Sequence, residues 1–185
     1  MNSASLPDAA VFIATSLDGY IAREDGALDW LLHYEAAEGE DHGYADFMAT
    51  IDTLVMGRKT FEKVLTFGAW PYQSTRVVVL SARGVEVPEA LASRVEVLAL
   101  EPAALLQHLG ATGSRRVYVD GGQTIQRFLQ AGLIREMIIT RAPVLIGTGI
   151  PLFGVLSQDL NLEHMSTQAF ANGLIQSRYR VLERA

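Results

Sequence analysis

The chain has 185 residues, 49% of them hydrophobic and 19% charged, with 15 Lys+Arg against 21 Asp+Glu for a formal net charge of −6. That length and composition predict one globular domain, 1–185, and exclude a disordered chain, which is poor in apolar residues and rich in charge. The acidic balance argues against nucleic acid or an anionic membrane as partners and leaves room for a local basic pocket around a small phosphorylated ligand. With no cysteine there is no disulfide, thiolate nucleophile or cysteine-based metal centre. Met1 to Ala14 lacks a basic segment and carries Asp8, so no signal peptide is evident, and the apolar run Met137 to Leu145 is broken by Arg141 and Pro143. The expected location is the cytoplasm.

In chain order, Ala9 to Ala14 is a short apolar run that predicts a strand buried on both faces. Ser16-Leu17-Asp18-Gly19 has turn chemistry, Tyr20-Ile21-Ala22 returns to apolar character, and polar Arg23 to Asp29 reads as a loop. Tyr44, Phe47, Met48 and Ile51 recur at helical spacing, predicting a helix within Glu35 to Ile51 that Gly39 and Gly43 interrupt. Thr53 to Met56 reads as a buried strand ended by Gly57, and Lys59 to Leu65 as a short helix. Thr75 to Leu80 and Val95 to Leu98 are further strands. Glu101-Pro102 opens a helix to about Leu109, proline being tolerated in a first turn. Val117 to Val119 is a strand that stops at Gly121-Gly122, and Thr124 to Gln130 is a helix stopped by Gly132. Met137 to Thr140 begins a strand, Gly147 to Gly154 is a loop, and Leu160 to Ala169 with Leu174 to Leu182 predict a closing antiparallel pair. Strands alternating with helices and then strands alone predict an α/β fold with a mostly parallel sheet and an antiparallel C-terminal edge.

In such a sheet, ligands sit beyond the carboxyl ends of the strands, where loops lead into helices. Gly57-Arg58-Lys59-Thr60 offers a sharp turn, a helix N-terminus, two cations and a hydroxyl, which suit phosphate. A solvated first turn is an equally good reading of that loop taken alone. Asp120-Gly121-Gly122-Gln123-Thr124 lets backbone approach a diphosphate closely, or simply makes a tight turn with positive φ. Two such turns together fit the two phosphate-bearing regions of a dinucleotide. Ser81 and Arg83 follow a strand in the same topological place, and an arginine there suits an adenosine 2′-phosphate, favouring NADPH over NADH. The Walker, Rossmann and nucleophile-elbow patterns are absent. His33, His42, His108 and His164 lack metal-ligand spacing, so no metal is expected. The acids available for proton chemistry are Asp18, Asp29, Glu35, Glu38, Glu40, Asp41 and Asp120. Asp120, at a strand's carboxyl end beside the glycine pair, is placed where a reacting ring would lie, and Asp18 occupies the turn after the first strand. Trp30 either caps a pocket or anchors the core.

Ala14-Thr-Ser-Leu-Asp-Gly-Tyr-Ile-Ala22, Val55-Met-Gly-Arg-Lys-Thr-Phe-Glu62, Val79-Leu-Ser81, Val119-Asp-Gly-Gly122, Ala142-Pro-Val-Leu-Ile-Gly147 and Gly149-Ile-Pro-Leu-Phe153 occur in that order over nearly the whole chain. In sequence they resemble the dihydrofolate reductase superfamily, and within it the reductase domain of the riboflavin-biosynthesis deaminase-reductase and its stand-alone relatives. The resemblance implies a three-layer fold with helices on both faces of the sheet and an NADPH-dependent reductase. It implies that Ala14 and Ile21 line the nicotinamide site, that Gly57, Arg58, Lys59, Thr60, Gly121, Gly122, Gln123 and Thr124 hold phosphates, and that Leu80, Ser81 and Arg83 border the adenosine end. It places substrate against Trp30, Phe47, Ile150, Leu152 and Phe153. The acid before the glycine pair, usually Glu in the riboflavin-type enzymes, is here Asp120. Asp41 is the nearest counterpart of the dihydrofolate reductase carboxylate, but the flanking pattern is replaced by Leu28-Asp29-Trp30-Leu31. The expected reaction is hydride transfer to a C=N or C=O of a small heterocycle or aminosugar phosphate, with dihydrofolate reduction and a non-catalytic NADPH-binding module as alternatives. A homodimer is expected from an exposed apolar sheet face around Met137 to Leu145.

Overall fold

Short β-branched and apolar runs pair into a twisted sheet in the computed structural model, which describes residues 6–34, 39–72 and 74–183. The strands are β1 (Asp8–Ser16), β2 (Tyr20–Ala22), β3 (Thr53–Gly57), β4 (Arg76–Leu80), β5 (Val95–Leu98), β6 (Arg116–Asp120), β7 (Ile134–Ala142), β8 (Ile150–Pro151), β9 (Leu162–Ala169) and β10 (Ile175–Val181). The helices are α1 (Tyr44–Ala49), α2 (Arg58–Leu65), α3 (Pro102–Ala111) and α4 (Gly122–Gln130). Eight strands form one sheet in the order β5-β4-β3-β6-β1-β7-β10-β9, and β2 pairs with β8 in a separate ribbon. Neighbours from β5 to β7 are parallel, β10 runs antiparallel to β7, and β9 antiparallel to β10.

Alternation along the strands sends successive side chains to opposite faces. Val55, Val78, Val117 and Val119 face α3 and α4, packing on Leu105, Leu106, Leu109, Ile125, Phe128 and Leu129. Leu54, Met56, Val77, Val79 and Tyr118 face the other way, onto Phe47 of α1 and Phe61 and Val64 of α2. Helices therefore cover both faces, and the inner strands read as continuous apolar runs because neither face meets water. Fully buried side chains such as Phe61 and Phe128 each contribute about 1.5–3 kcal/mol relative to exposure.

Several elements differ from the sequence reading. Helix α1 is confined to Tyr44–Ala49, because the chain enters it through Gly43 at φ 80°. Part of the longer helix expected there, with Glu35 and Glu38, lies outside the described residues. Helix α4 starts at Gly122 rather than Thr124. A Cβ at Gly122 would lie 3.1 Å from the Pro151 carbonyl oxygen, so close packing, not helix propensity, selects glycine in its first turn. Ile150–Pro151 pairs with Tyr20 and Ala22 inside the segment read as a loop, a contact too short to leave a periodic signal. The apolar face expected on Met137 to Leu145 is exposed only in part: Leu145, past the end of β7, is open to solvent and Ile138 is half-buried. Met137, Ile139 and Ala142 are buried, since β7 lies inside the sheet between β1 and β10.

Candidate active site

Strands β3 and β6 are parallel neighbours, with Met56 opposite Asp120, so the two loops that leave them emerge side by side. The loops interlock. A Cβ on Gly121, whose φ is 90°, would run into the Thr60 hydroxyl, and a Cβ on Gly57 would lie 3.0 Å from Thr124 Oγ1. Each threonine thus sits over the other loop's glycine, which brings the N-termini of α2 and α4 together. The free N–H groups of a helix's first turn and its dipole favour an anion there. Arg58 at the start of α2 pairs with Glu62 at 2.7 Å, while Lys59 is exposed. Gln123 is exposed and Thr124 is buried behind it.

On the far side of β3, Leu80 ends β4 opposite Gly57. The Ser81 hydroxyl donates to the Gly84 carbonyl at 2.7 Å and shapes the turn that carries exposed Arg83. Ala14 and Ile21 are half-buried near the carboxyl end of β1, and a Cβ on Gly122 would be 3.1 Å from Ile21 Cδ1. The phosphate-compatible loops, the turn after β4, and Ala14 with Ile21 therefore share one edge of the sheet, the carboxyl ends of its parallel strands.

The three acids differ in environment. Asp18 accepts the Ser16 hydroxyl at 2.6 Å and the N–H groups of Ile146 and Gly147 at 3.2 and 2.8 Å. The Ser16 hydrogen bond holds its carboxyl below the ordinary carboxylate range, and its geometry is that of a clasp between the β1–β2 turn and the segment after β7. Asp41 accepts the N–H groups of Ala45 at 2.6 Å and Gly43 at 2.9 Å, which lower its pKa and cap the start of α1. Asp120 accepts its neighbour Gly121's N–H at 2.8 Å. Desolvation pushes its pKa up to about 6 against that hydrogen bond.

Asp120 shares a strand face with Tyr118, two residues before it. Its charge also acts on Tyr44 and Tyr72, and burial pushes the Tyr44 hydroxyl up to about 12 and those of Tyr72 and Tyr118 further in the same direction. The Tyr118 hydroxyl donates to the Phe12 carbonyl at 2.8 Å. Phe12 meets Tyr44 and Phe47 at ring separations of 5.5 and 5.1 Å, and Phe47 meets Tyr118 at 5.2 Å, an aromatic wall that ends on the strand face of the carboxyl. A carboxyl that is half protonated at about pH 6, near a platform of aromatic rings, can give a proton to a bound heterocycle or take one from it. Sequence reasoning placed Tyr44 on a helix and Tyr118 on a strand without giving either a role, and passed over Tyr72 altogether. The signal available was the i, i+2 relation of Tyr118 to Asp120; Tyr72, in a loop, offers none.

The expected substrate residues are dispersed. Phe47 is 5% exposed as part of that wall, and Trp30 is 2% exposed in a separate cluster with Ala142 and Leu174. Leu152 is buried under α4, Ile150 packs near Gly122, and Phe153 is exposed. Among the described residues no group of His, Cys, Asp and Glu is arranged to hold a metal ion, and no helix is long and apolar enough to cross a membrane.

Residues 7–176 match the family described as RibD C-terminal domain. The chain is 37% identical over 168 residues to the uncharacterized protein YwjB of Bacillus subtilis, covering 89% of this chain and 92% of that one. A solved protein of Shewanella sp. PV-4, provisionally assigned to riboflavin biosynthesis, superposes with TM-score 0.90 at 42% identity, covering 95% and 99% of the two chains. Dihydrofolate reductase from Enterococcus faecalis, solved with NADP(H), superposes with TM-score 0.66 at 14% identity over 95% and 97%, a likeness of fold. By sequence and by fold, the chain belongs to the RibD C-terminal domain family, a family of reductase-type domains.

Proposed function

We propose that this protein is an NADPH-dependent reductase of the riboflavin-biosynthesis type, acting on a C=N or C=O carbon of a small heterocycle or aminosugar phosphate. The observation that carries the reading is the placing of a half-buried carboxyl, Asp120, directly before the N-terminus of α4, which interlocks with that of α2. These residues fit a dinucleotide phosphate. Two first turns lie together with a hydroxyl and cations beside them, and the glycines leave no side chain in the way. Bound NADPH would supply hydride; the protein's work is alignment and proton supply. Gly57 to Thr60 and Gly121 to Thr124 would hold the phosphates, Ser81 and Arg83 the adenosine end, and Ala14 and Ile21 the nicotinamide. Asp120, protonated below about pH 6, would deliver the proton that balances hydride addition.

A second reading, dihydrofolate reduction, is favoured by 32% identity over 127 residues to dihydrofolate reductase HdrB of Haloferax volcanii, covering 67% of this chain and 62% of that protein. It requires a carboxylate on the α1 side, and both oxygens of Asp41 already accept backbone N–H groups. A thermal-shift titration with NADPH and NADH, followed by NADPH oxidation with dihydrofolate and with aminopyrimidine precursors of riboflavin, separates the readings. Stabilisation by NADPH over NADH, with turnover of an aminopyrimidine, is expected; a ligand at a hundred times its dissociation constant stabilises by about 2.7 kcal/mol. No response to either nucleotide overturns the assignment.

The reading includes a homodimer through the sheet end that helices leave uncovered. All eight residues of β9 are exposed, and grooves of about 580 and 260 Å³ flank Arg116, Glu136 and Arg178 on the adjoining sheet face. The groove walls carry both signs of charge, with Asp46 on the α1 rim and Arg180 on β10, so a second copy turned by a two-fold axis meets complementary groups.

A further inference from the structure

The chain enters α1 through a backbone conformation that a residue with a side chain disfavours. His42 has φ 55°, the positive-φ non-glycine residue among those described, and Gly43 follows at φ 80°. Such a conformation persists where surrounding contacts over-determine it. Locally, Asp41 accepts the Gly43 and Ala45 N–H groups; the contacts on His42 itself come from the distant β9–β10 hairpin. Gln176 Nε2 donates to the His42 carbonyl at 3.0 Å and to Thr140 Oγ1 at 2.9 Å. Asn172 Nδ2 donates to the Tyr34 carbonyl at 3.0 Å and lies 3.3 Å from His42 Nε2. Phe170 meets the imidazole edge-on at 4.5 Å between ring centres.

The next residue after this turn is Tyr44, the first residue of α1, whose ring connects through Phe12 and Phe47 to Tyr118 on the strand face of Asp120. We propose that the β9–β10 hairpin, through Gln176 and Asn172, holds the His42–Gly43 turn in its left-handed form and so sets Tyr44 against the Asp120 carboxyl, making Gln176 and Asn172 positioning residues of the substrate site. Neither reaches the carboxyl; both act through the turn. The assignment rests on reading Asp120 as the proton-handling group, and it explains why an arm so exposed along β9 keeps amide side chains aimed back at the α1 entrance.

The test is a carbon-detected NMR titration of Asp120 in the full chain, its signal identified by its loss in Asp120→Asn. The titratable groups that face Asp120 are Tyr44, Tyr72 and Tyr118, all neutral across the range scanned. In the wild type the carboxyl titrates near 6. In Gln176→Met it is expected at least about half a unit lower, because a displaced Tyr44 admits water to the carboxyl. Asn172→Ala, at the hairpin tip, carries the same expectation should Gln176→Met fold poorly. Glycine takes the left-handed turn unaided, so adding His42→Gly to Gln176→Met is expected to restore the wild-type titration, a rescue that a general loss of stability would not allow. An unchanged Asp120 titration in both single variants, or a shift that His42→Gly leaves in place, overturns the proposal. The titration needs no nucleotide or substrate. A wild type that neither binds nor oxidises NADPH would therefore defeat the reductase reading, while the positioning role of the hairpin would still stand or fall on the Asp120 titration alone.

Discussion

Asp120 is the residue whose chemistry departs furthest from its ordinary behaviour. Its carboxyl has an ordinary pKa of 3.8 and is pushed up to about 6 by desolvation, so the folded protein holds that proton more tightly than the unfolded chain. The stability this contributes is complete below about pH 4 and is lost as pH rises through about 6. Asp120→Asn is therefore expected to raise stability at pH 8 by about 1–3 kcal/mol, with little gain at pH 4, read by urea denaturation at both values. In the same variant kcat should fall about 100-fold or more, and wild-type kcat/KM should decline above about pH 6 as the acid form is lost. A destabilised variant with intact turnover would remove Asp120 from the chemistry. The position of this acid is legible in the sequence, because a strand-ending carboxylate before paired glycines is a local pattern. Its altered pKa is not, because the burial that raises it is built by segments from elsewhere in the chain.

At the scale of elements, the site depends on how two strand-to-helix loops fit each other. Gly57 and the Gly121-Gly122 pair are plain in the sequence as turn signals, and the turns are where they were expected. What the sequence does not carry is the reciprocal seat of Thr60 on Gly121 and Thr124 on Gly57, which exists because β3 and β6 are neighbours in the sheet despite lying far apart in the chain. Gly121 combines φ 90° and ψ 135° with the Thr60 contact, so Gly121→Ala should cost about 1–3 kcal/mol in urea denaturation and weaken NADPH binding. Thr60→Ala in that background relieves the collision but not the backbone strain, and should recover part of the stability. Full recovery would show that the backbone angle is without cost. Helices α1 and α4 also had boundaries that propensity could not predict, since Asp41's capping hydrogen bonds and the close approach of β8 to Gly122 decide them.

For the whole molecule, the sheet is closed by helices over most of its breadth and left open at β10 and β9. An eight-residue edge strand with both faces in solvent is a ready template for another chain. The protein is expected to sediment as a dimer at micromolar concentration, and Met165→Glu on β9 together with Arg178→Glu should yield a folded monomer; a wild type that is monomeric removes the interface. The expected contact surface around Met137 shifts: Met137, Ile139 and Ala142 are buried, and the open surface at β9 and β10 mixes charged groups with exposed Leu162, Met165 and Ile175. Buried apolar runs, turn glycines and their order determined by themselves the α/β class, the parallel sheet with its antiparallel edge, and the loops at the carboxyl ends of the strands. These are local patterns, written in neighbouring residues. Only the tertiary structure decided that the pKa values of Asp18 and Asp41 are lowered by hydrogen bonds while desolvation outweighs the single backbone bond to Asp120, that Trp30 lies in a packed cluster, and that a hairpin more than a hundred residues away reaches the entrance to α1. Apart from Asp41's bonds to Gly43 and Ala45, which are local, each of those depends on which distant segments the strand order brings together, because a carboxyl's hydration and the packing around a helix entrance are set by such neighbours as well as by the residues beside them in the chain.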